Sequence, residues 1–234
     1  MIFPLTGNNK IRQSLENILG EHRLPHAILI DGEMGTGKHT LADFVCMSAV
    51  CLGEEIPCGE CKSCRLAVSN NHPDIIKISP AKGKKNISVE QIRELIADAY
   101  IKPHISPKKV YVIDPADALT EQCQNTLLKI LEEPPAQAVF VLIAESKAAF
   151  LETVISRCSV FTLNPPTLSE GKELLTSKTD YGIEDIENAL KEARNNIGSA
   201  LNLLKGKADS KINAAAKEFL GFAMRGDGWE MLST

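Results

Sequence analysis

No uncharged apolar run in this sequence approaches the roughly 18 residues that crossing a bilayer requires. Nor does it open with the basic, apolar and small-residue succession of an export signal. A cytoplasmic protein is therefore expected. A dominant charge is missing too: 26 Lys and Arg stand against 30 Asp and Glu, a formal net charge of -4. That balance creates no global field to draw the protein onto nucleic acid, so any such contact must come from a local basic patch or from partner subunits. Internal repeats and low-complexity tracts are absent. His26 has no second histidine near it at metal-binding spacing, and is read as a packed or capping residue.

Cysteine, by contrast, is concentrated. Four of the seven fall in "CLGEEIPCGECKSC", placing Cys51, Cys58, Cys61 and Cys64 at C-x6-C-x2-C-x2-C. Two residues between cysteines let a tight turn aim both sulfurs at one point, Gly59 permits that turn, and Cys51 closes a tetrahedron from the end of the preceding helix. Clustered thiols in a reducing compartment suggest metal before disulfides. With every position filled by protein the site reads as structural zinc, and an iron-sulfur cluster or unligated thiols are the rivals. Lys62 and Arg65 lie close enough to offset the negative charge of four thiolates. Cys46, Cys123 and Cys158 are scattered and read as small buried apolar residues.

Along the chain as far as "SVFTL", strand-like and helix-like runs alternate. "AILID", "PDIIKIS", "KVYVID", "AVFVLIA" and "SVFTL" read as five strands, nearly all apolar, separated by helices. Such strands belong in a mostly parallel sheet covered on both faces. "HTLADFVCMSAV" is expected as a helix with Leu41, Phe44, Val45 and Ser48 on one face. Ser88 and Gln91 form a capping box ahead of Ile92, Leu95, Ile96 and Ala99. Thr120 caps a helix that Pro134 must stop. Beyond "NPPT" only short helices remain, with Pro165 and Pro166 as a hinge. The predicted organisation is 1–163 as an α/β domain carrying the 51–64 insertion, 164–207 as a small helical domain, and 208–234 as the start of a further one. In that last segment Ile212, Ala215, Ala216, Phe219 and Ala223 line one face with nothing after them to pack on, so it is expected to be truncated.

The strand "AILID" runs into "GEMGTGKHT", close to the phosphate-binding pattern G-x-x-x-x-G-K-[ST]. Gly32, Gly35, Gly37 and Lys38 supply the cradle and the cation. The next position should carry a hydroxyl for Mg²⁺ and instead holds His39, while Thr40 is about 100° of helix away. Asp114 can serve as the strand acid for the metal. The residue after it, where a water-orienting glutamate is common, is Pro115. Phosphate binding without efficient turnover is one reading, a permanently empty site is another, and a glycine turn that merely joins strand to helix is the plainest.

"RLPHAILIDGEMGTGK", the four-cysteine insertion, "NTLLKILEEPP" and "SRC" (Ser156 to Cys158) occur in this order. Taken together they resemble bacterial DNA polymerase III clamp-loader subunits of the AAA+ class, over most of the chain. The resemblance implies an AAA+ P-loop domain with a parallel sheet flanked by helices, an inserted zinc element and a small helical lid. It also implies that the last segment begins a helical collar domain. Motor subunits of the family, gamma or tau, keep an intact loop and an Asp-Glu strand end; His39 and Pro115 put this chain with the kind that does not hydrolyse. Leu201 stands where an arginine is usual in the helical domain. Cys51, Cys58, Cys61 and Cys64 match the family's zinc ligands. Arg157 matches an arginine that reaches across an interface to the γ-phosphate on a neighbouring motor subunit, although taken locally it reads as a surface salt-bridge residue between a helix and a strand. The implied partners are gamma/tau and delta, the sliding clamp indirectly, and primer-template DNA within the assembled complex. ATP or ADP binding by this chain is left open by the resemblance.

Two other readings stand beside this one: an active motor-type ATPase using Lys38 and Asp114, and a zinc-dependent nucleic-acid-binding module. The second rests on the cysteines and on the basic run "AKGKKN", Ala81 to Asn86, which reads equally as a solvated loop. The resemblance also implies a polar residue after the fourth strand in active relatives, where this chain has Glu145 and Ser146 with neither assigned to it. Glu132 and Glu133 break a local rule, because acids at a helix C-terminus oppose its dipole.

Overall fold

The structure is a computed structural model that describes residues 5–21 and 23–206. The expected helix in 208–234 lies outside the described residues. Two compact units divide the chain, Met1–Asn164 and Pro165–Thr234.

In the first unit all five strands are parallel and run in the order β2-β3-β4-β1-β5, as β1 Ala27–Asp31, β2 Ile75–Ile78, β3 Lys109–Ile113, β4 Ala138–Ala144 and β5 Ser159–Thr162. β1, β3 and β4 are buried along their whole length, which is why their sequences show no polar alternation. Successive side chains instead go to two separate cores. Ala27 and Leu29 of β1, with Phe140 and Leu142 of β4, pack on one face beneath α4 Val89–Ala99 and α5 Glu121–Glu132. Ile28, Ile30, Val139, Val141 and Ile143 pack on the other beneath α1 Asn9–Gly20 and α2 Lys38–Val50. Replacing one of these fully buried residues, for example Leu29→Ala, removes about 2–5 kcal/mol.

The two caps predicted from sequence form. Ser88 and Gln91 make a full capping box on α4, and the Thr120 hydroxyl accepts from Cys123 N on α5. α2 departs from expectation: instead of one apolar face it buries Leu41, Ala42, Phe44, Val45, Cys46, Ser48, Ala49 and Val50. A helix apolar on most sides is one enclosed on most sides, here by the sheet and by α3 Lys62–Val68, which sits against it. Neither α1 nor α3 was evident in the sequence, nor was the short α6 Glu152–Ile155. α1 has no side-chain cap and buries only Leu15 fully. Asn8 ahead of it bonds both ways with the Asn164 backbone, Nδ2 donating to O at 3.0 Å and Oδ1 accepting from N at 3.0 Å.

The second unit comprises α7 Leu168–Lys178, α8 Ile183–Glu192 and helical residues 197–206. Leu175, Ile186, Ala189, Leu190, Ala200 and Leu204 form its core, and Leu201 packs against that core partly buried.

Candidate nucleotide, metal and interface sites

The glycine loop connects β1 to α2 and takes a shape that side chains resist. Gly32, Gly35 and Gly37 have φ of 151°, 89° and 96°. A Cβ on Gly32 would lie 2.6 Å from the Leu163 carbonyl oxygen, backbone that cannot step aside. Lys38 is the first residue of α2 and only 6% exposed. Its ammonium turns back on the loop, donating to the carbonyls of Gly32 and Glu33. The cation that would meet a phosphate is therefore satisfied by the loop's own oxygens.

One residue on, His39 Nε2 lies 2.9 Å from Asp114 Oδ2. The imidazole thus joins the first turn of α2 to the end of β3, the two positions that hold Mg²⁺ in a working phosphate loop. Thr40 is exposed and does not substitute. Pro115 follows Asp114, with no acid or base. Beside the His39–Asp114 pair is a cavity of about 270 Å³ lined by Asp43, Cys46, His72 and Lys77 among others, with no residue from Gly32 to Lys38. It is distinct from the glycine loop.

Asp31 was not singled out from sequence, yet it fixes the rim of this site. Only 5% exposed, it accepts from Thr162 Oγ1 at 2.7 Å and from Lys147 N at 3.4 Å, tying the end of β1 to β5 and to the turn after β4. Glu145 and Ser146 donate their backbone N–H groups to Asp117 at 2.8 and 3.4 Å, and the Ser146 hydroxyl caps the following turn. The Ser146 side chain is thus committed locally.

The four clustered cysteines come together with all sulfurs within 4.8 Å of one another. Cys51 and Cys58 sulfurs are 3.6 Å apart and Cys58 and Cys64 are 3.9 Å apart, close to the roughly 3.8 Å edge of a tetrahedron with 2.3 Å metal–sulfur bonds. Gly59, at φ 77°, makes the turn between them. Backbone N–H groups point at sulfur throughout: Gly53 and Cys58 at Cys51, Cys61 at Cys58, Leu52 and Cys64 at Cys61, all at 3.3–3.5 Å. These donors suit thiolate better than thiol. Burial opposes charge on Cys61, but the Leu52 and Cys64 N–H groups outweigh it and bring the thiol down to about 6. Burial pushes Cys51 and Cys64 up instead. Four ionised sulfurs this close need a cation, and the cluster can hold a metal such as zinc. Cys46 and Cys123 are buried and Cys158 partly so; burial pushes Cys46 and Cys158 up to about 12, as for unreactive thiols.

A buried polar bridge supports this element. The Nδ1 of His72 accepts from Asp74 N at 3.0 Å, which leaves the proton on Nε2 to face Ser63 Oγ at 2.9 Å. Ser63 lies between Cys61 and Cys64 of the cluster, so the bridge ties α3 to the start of β2. His26 behaves as a capping residue, its Nε2 3.2 Å from the Leu131 carbonyl at the end of α5.

Arg157 follows α6, and its guanidinium is engaged three times. Nη1 donates to the Thr153 carbonyl at 2.8 Å and to Ser156 Oγ at 3.3 Å, and Nη2 pairs with Glu132 Oε1 at 2.6 Å. Glu132 ends α5, where the helix dipole costs an acid about 0.3–1 kcal/mol. A half-exposed ion pair returns about 0–1 kcal/mol, so the two nearly cancel in stability. The "AKGKKN" run forms an exposed loop, and among the described residues Lys82, Lys84 and Lys85 have no ion pair.

Among the described residues no helix is long and apolar enough to cross a membrane. The family described as "DNA polymerase III, delta subunit" matches residues 7–167. The chain is 35% identical over 183 residues to the Haemophilus influenzae protein "DNA polymerase III subunit delta'", covering 78% of this chain and 54% of that one. It is also 32% identical over 206 residues to the same organism's "DNA polymerase III subunit tau/gamma", covering 85% of this chain and 30% of that one. The chain thus spans about half the length, or less, of the curated relatives it matches. Among solved structures, a gamma subunit-related DNA polymerase III protein from Thermotoga maritima superposes with a TM-score of 0.55 at 24% identity, over 82% of this chain and 57% of that one. The fold is AAA+, with its parallel sheet between helices and further helices after it.

Proposed function

The chain belongs to the DNA polymerase III delta-prime subunit family, and from that premise we propose that it is a clamp-loader subunit whose own nucleotide site does not turn over. The observation that carries this reading is the direct His39–Asp114 bond, 2.9 Å across the two positions a metal would need. Pro115 removes the water-orienting acid independently, and Lys38 is held by its own loop. Gly32, Gly35, Gly37, Lys38 and Asp114 are thus a degenerate site, and the chain contributes catalysis to a neighbour through Arg157.

A guanidinium supplied in trans neutralises charge that develops on the transferring phosphoryl group, an effect worth about 10³ to 10⁵ in rate at the site it serves. The partners on this reading are gamma/tau and delta, which bring the sliding clamp to primer-template DNA in the cytoplasm. Cys51, Cys58, Cys61 and Cys64 hold one structural zinc, whose role is folding energy, since all four positions are protein sulfur. The lysines of the 81–86 loop meet DNA phosphates within the assembled ring.

Reconstitution with the motor and delta subunits, using the full-length protein, tests the proposal. Arg157→Ala is expected to depress DNA- and clamp-stimulated ATP hydrolysis without releasing the subunit from the complex. Unchanged hydrolysis would remove Arg157 from the mechanism.

A further inference from the structure

We propose that Glu132 is a positioning residue for Arg157, holding the guanidinium in the orientation from which it meets a neighbour's phosphate. This rests on the trans-acting role of Arg157 given above. The turn beneath the arginine is already fixed: Ser156, Arg157 and Cys158 donate their N–H groups to Glu152, Val154 and Ile155, and the half-buried Cys158 packs against the core. What the backbone does not fix is the long side chain, which has several rotatable bonds and is one-third exposed. Thr153 O and Ser156 Oγ hold Nη1 from its own segment. Glu132, 25 residues earlier in the chain, holds Nη2 at 2.6 Å and is the only charged group among these partners.

Such clamping leaves the arginine able to act. A guanidinium has five N–H donors in a planar fork; three bonds are made here, so two donors remain for phosphate oxygens. One plane fixed at both terminal nitrogens also fixes where those remaining donors point. The next residue provides a control. Glu133 carries the same charge at the same helix end, is exposed, and among the described residues makes no ion pair with Arg157.

The test uses the reconstituted loader with full-length chain, comparing Glu132→Gln, Glu133→Gln, Arg157→Ala and the Glu132→Gln/Arg157→Ala double variant. Stimulated hydrolysis is measured for kcat and for KM of ATP, alongside the thermal midpoint of each isolated subunit. Glu132→Gln is expected to lower kcat roughly ten- to a hundredfold at the site Arg157 serves, as misplacement of a catalytic group does. KM and the thermal midpoint should stay close to wild type, Glu133→Gln should be silent, and the double variant should be no worse than Arg157→Ala. Wild-type or faster turnover in Glu132→Gln, with Arg157→Ala impaired, overturns the positioning role and leaves the trans arginine standing. If Arg157→Ala is itself silent, both fall together.

Discussion

His39 and Asp114, 75 positions apart in the chain, meet at 2.9 Å between Nε2 and Oδ2. The pair closes the space between the first turn of α2 and the end of β3. Both side chains are solvent-accessible, at 68% and 36% exposed, so the bond contributes no more than about 1 kcal/mol to stability. Its consequence is chemical: the carboxylate that would hold a metal already has a partner.

Nucleotide binding by the isolated protein should therefore be indifferent to magnesium. Calorimetric titration with ATP is expected to give the same affinity, or the same lack of binding, with and without Mg²⁺. His39→Ser returns the hydroxyl and frees Asp114, and should introduce a Mg²⁺ dependence. Turnover should still be lacking, because Pro115 supplies no base. A wild-type chain turning over at about 1 s⁻¹, an ordinary enzymatic rate, and silenced by Lys38→Ala would show an active motor instead.

The cysteine element should contain one zinc per chain by elemental analysis. Cys64→Ser removes a fully buried ligand and is expected to abolish metal retention and to lower the thermal midpoint, since binding and folding are coupled at such sites. Chelation of the wild-type protein should reproduce that shift. Iron and a brown colour in place of zinc would overturn the assignment.

Asp74 should make the first unit acid-sensitive. Burial alone would push its carboxyl up, but the backbone N–H groups of His104, Ile105 and Ser106 and the Ser106 hydroxyl, at 2.6–3.0 Å, outweigh it and hold the carboxyl below the usual range. A depressed folded-state value contributes stability that is present above the unfolded value of about 4 and is lost as pH falls through the folded one. Asp74→Asn is expected to cost about 2–3 kcal/mol at neutral pH and to flatten the decline in stability below pH 4. Equal acid slopes in denaturant melts of the two proteins would contradict this.

The basic loop should be visible in the salt dependence of DNA binding by the assembled loader. Replacing Lys82, Lys84 and Lys85 with alanine is expected to reduce the slope of log affinity against log salt by up to about 0.9 per lysine that touches a phosphate. An unchanged slope would return the loop to solvent.

β1, β3 and β4 were legible because strands buried along their whole length leave unbroken apolar runs, and α4 and α5 because Ser88, Gln91 and Thr120 cap them with local bonds. The cysteine spacing and the glycine loop were legible for the same reason, being local patterns with one geometric solution. α1 left little trace, since its contacts are made at a distance through Leu15 and Asn8.

By itself the sequence determined that this is a metal-competent α/β chain whose glycine loop follows the phosphate-binding pattern but lacks its hydroxyl, and whose strand end lacks a glutamate. Only the tertiary structure decided what the replacements do. His39 meets Asp114, Asp31 joins the strand ends at the rim, and Glu132, out of place by local rules, faces Arg157. Each is a contact between residues at least 25 positions apart, and short-range propensity and spacing carry no information about such distances.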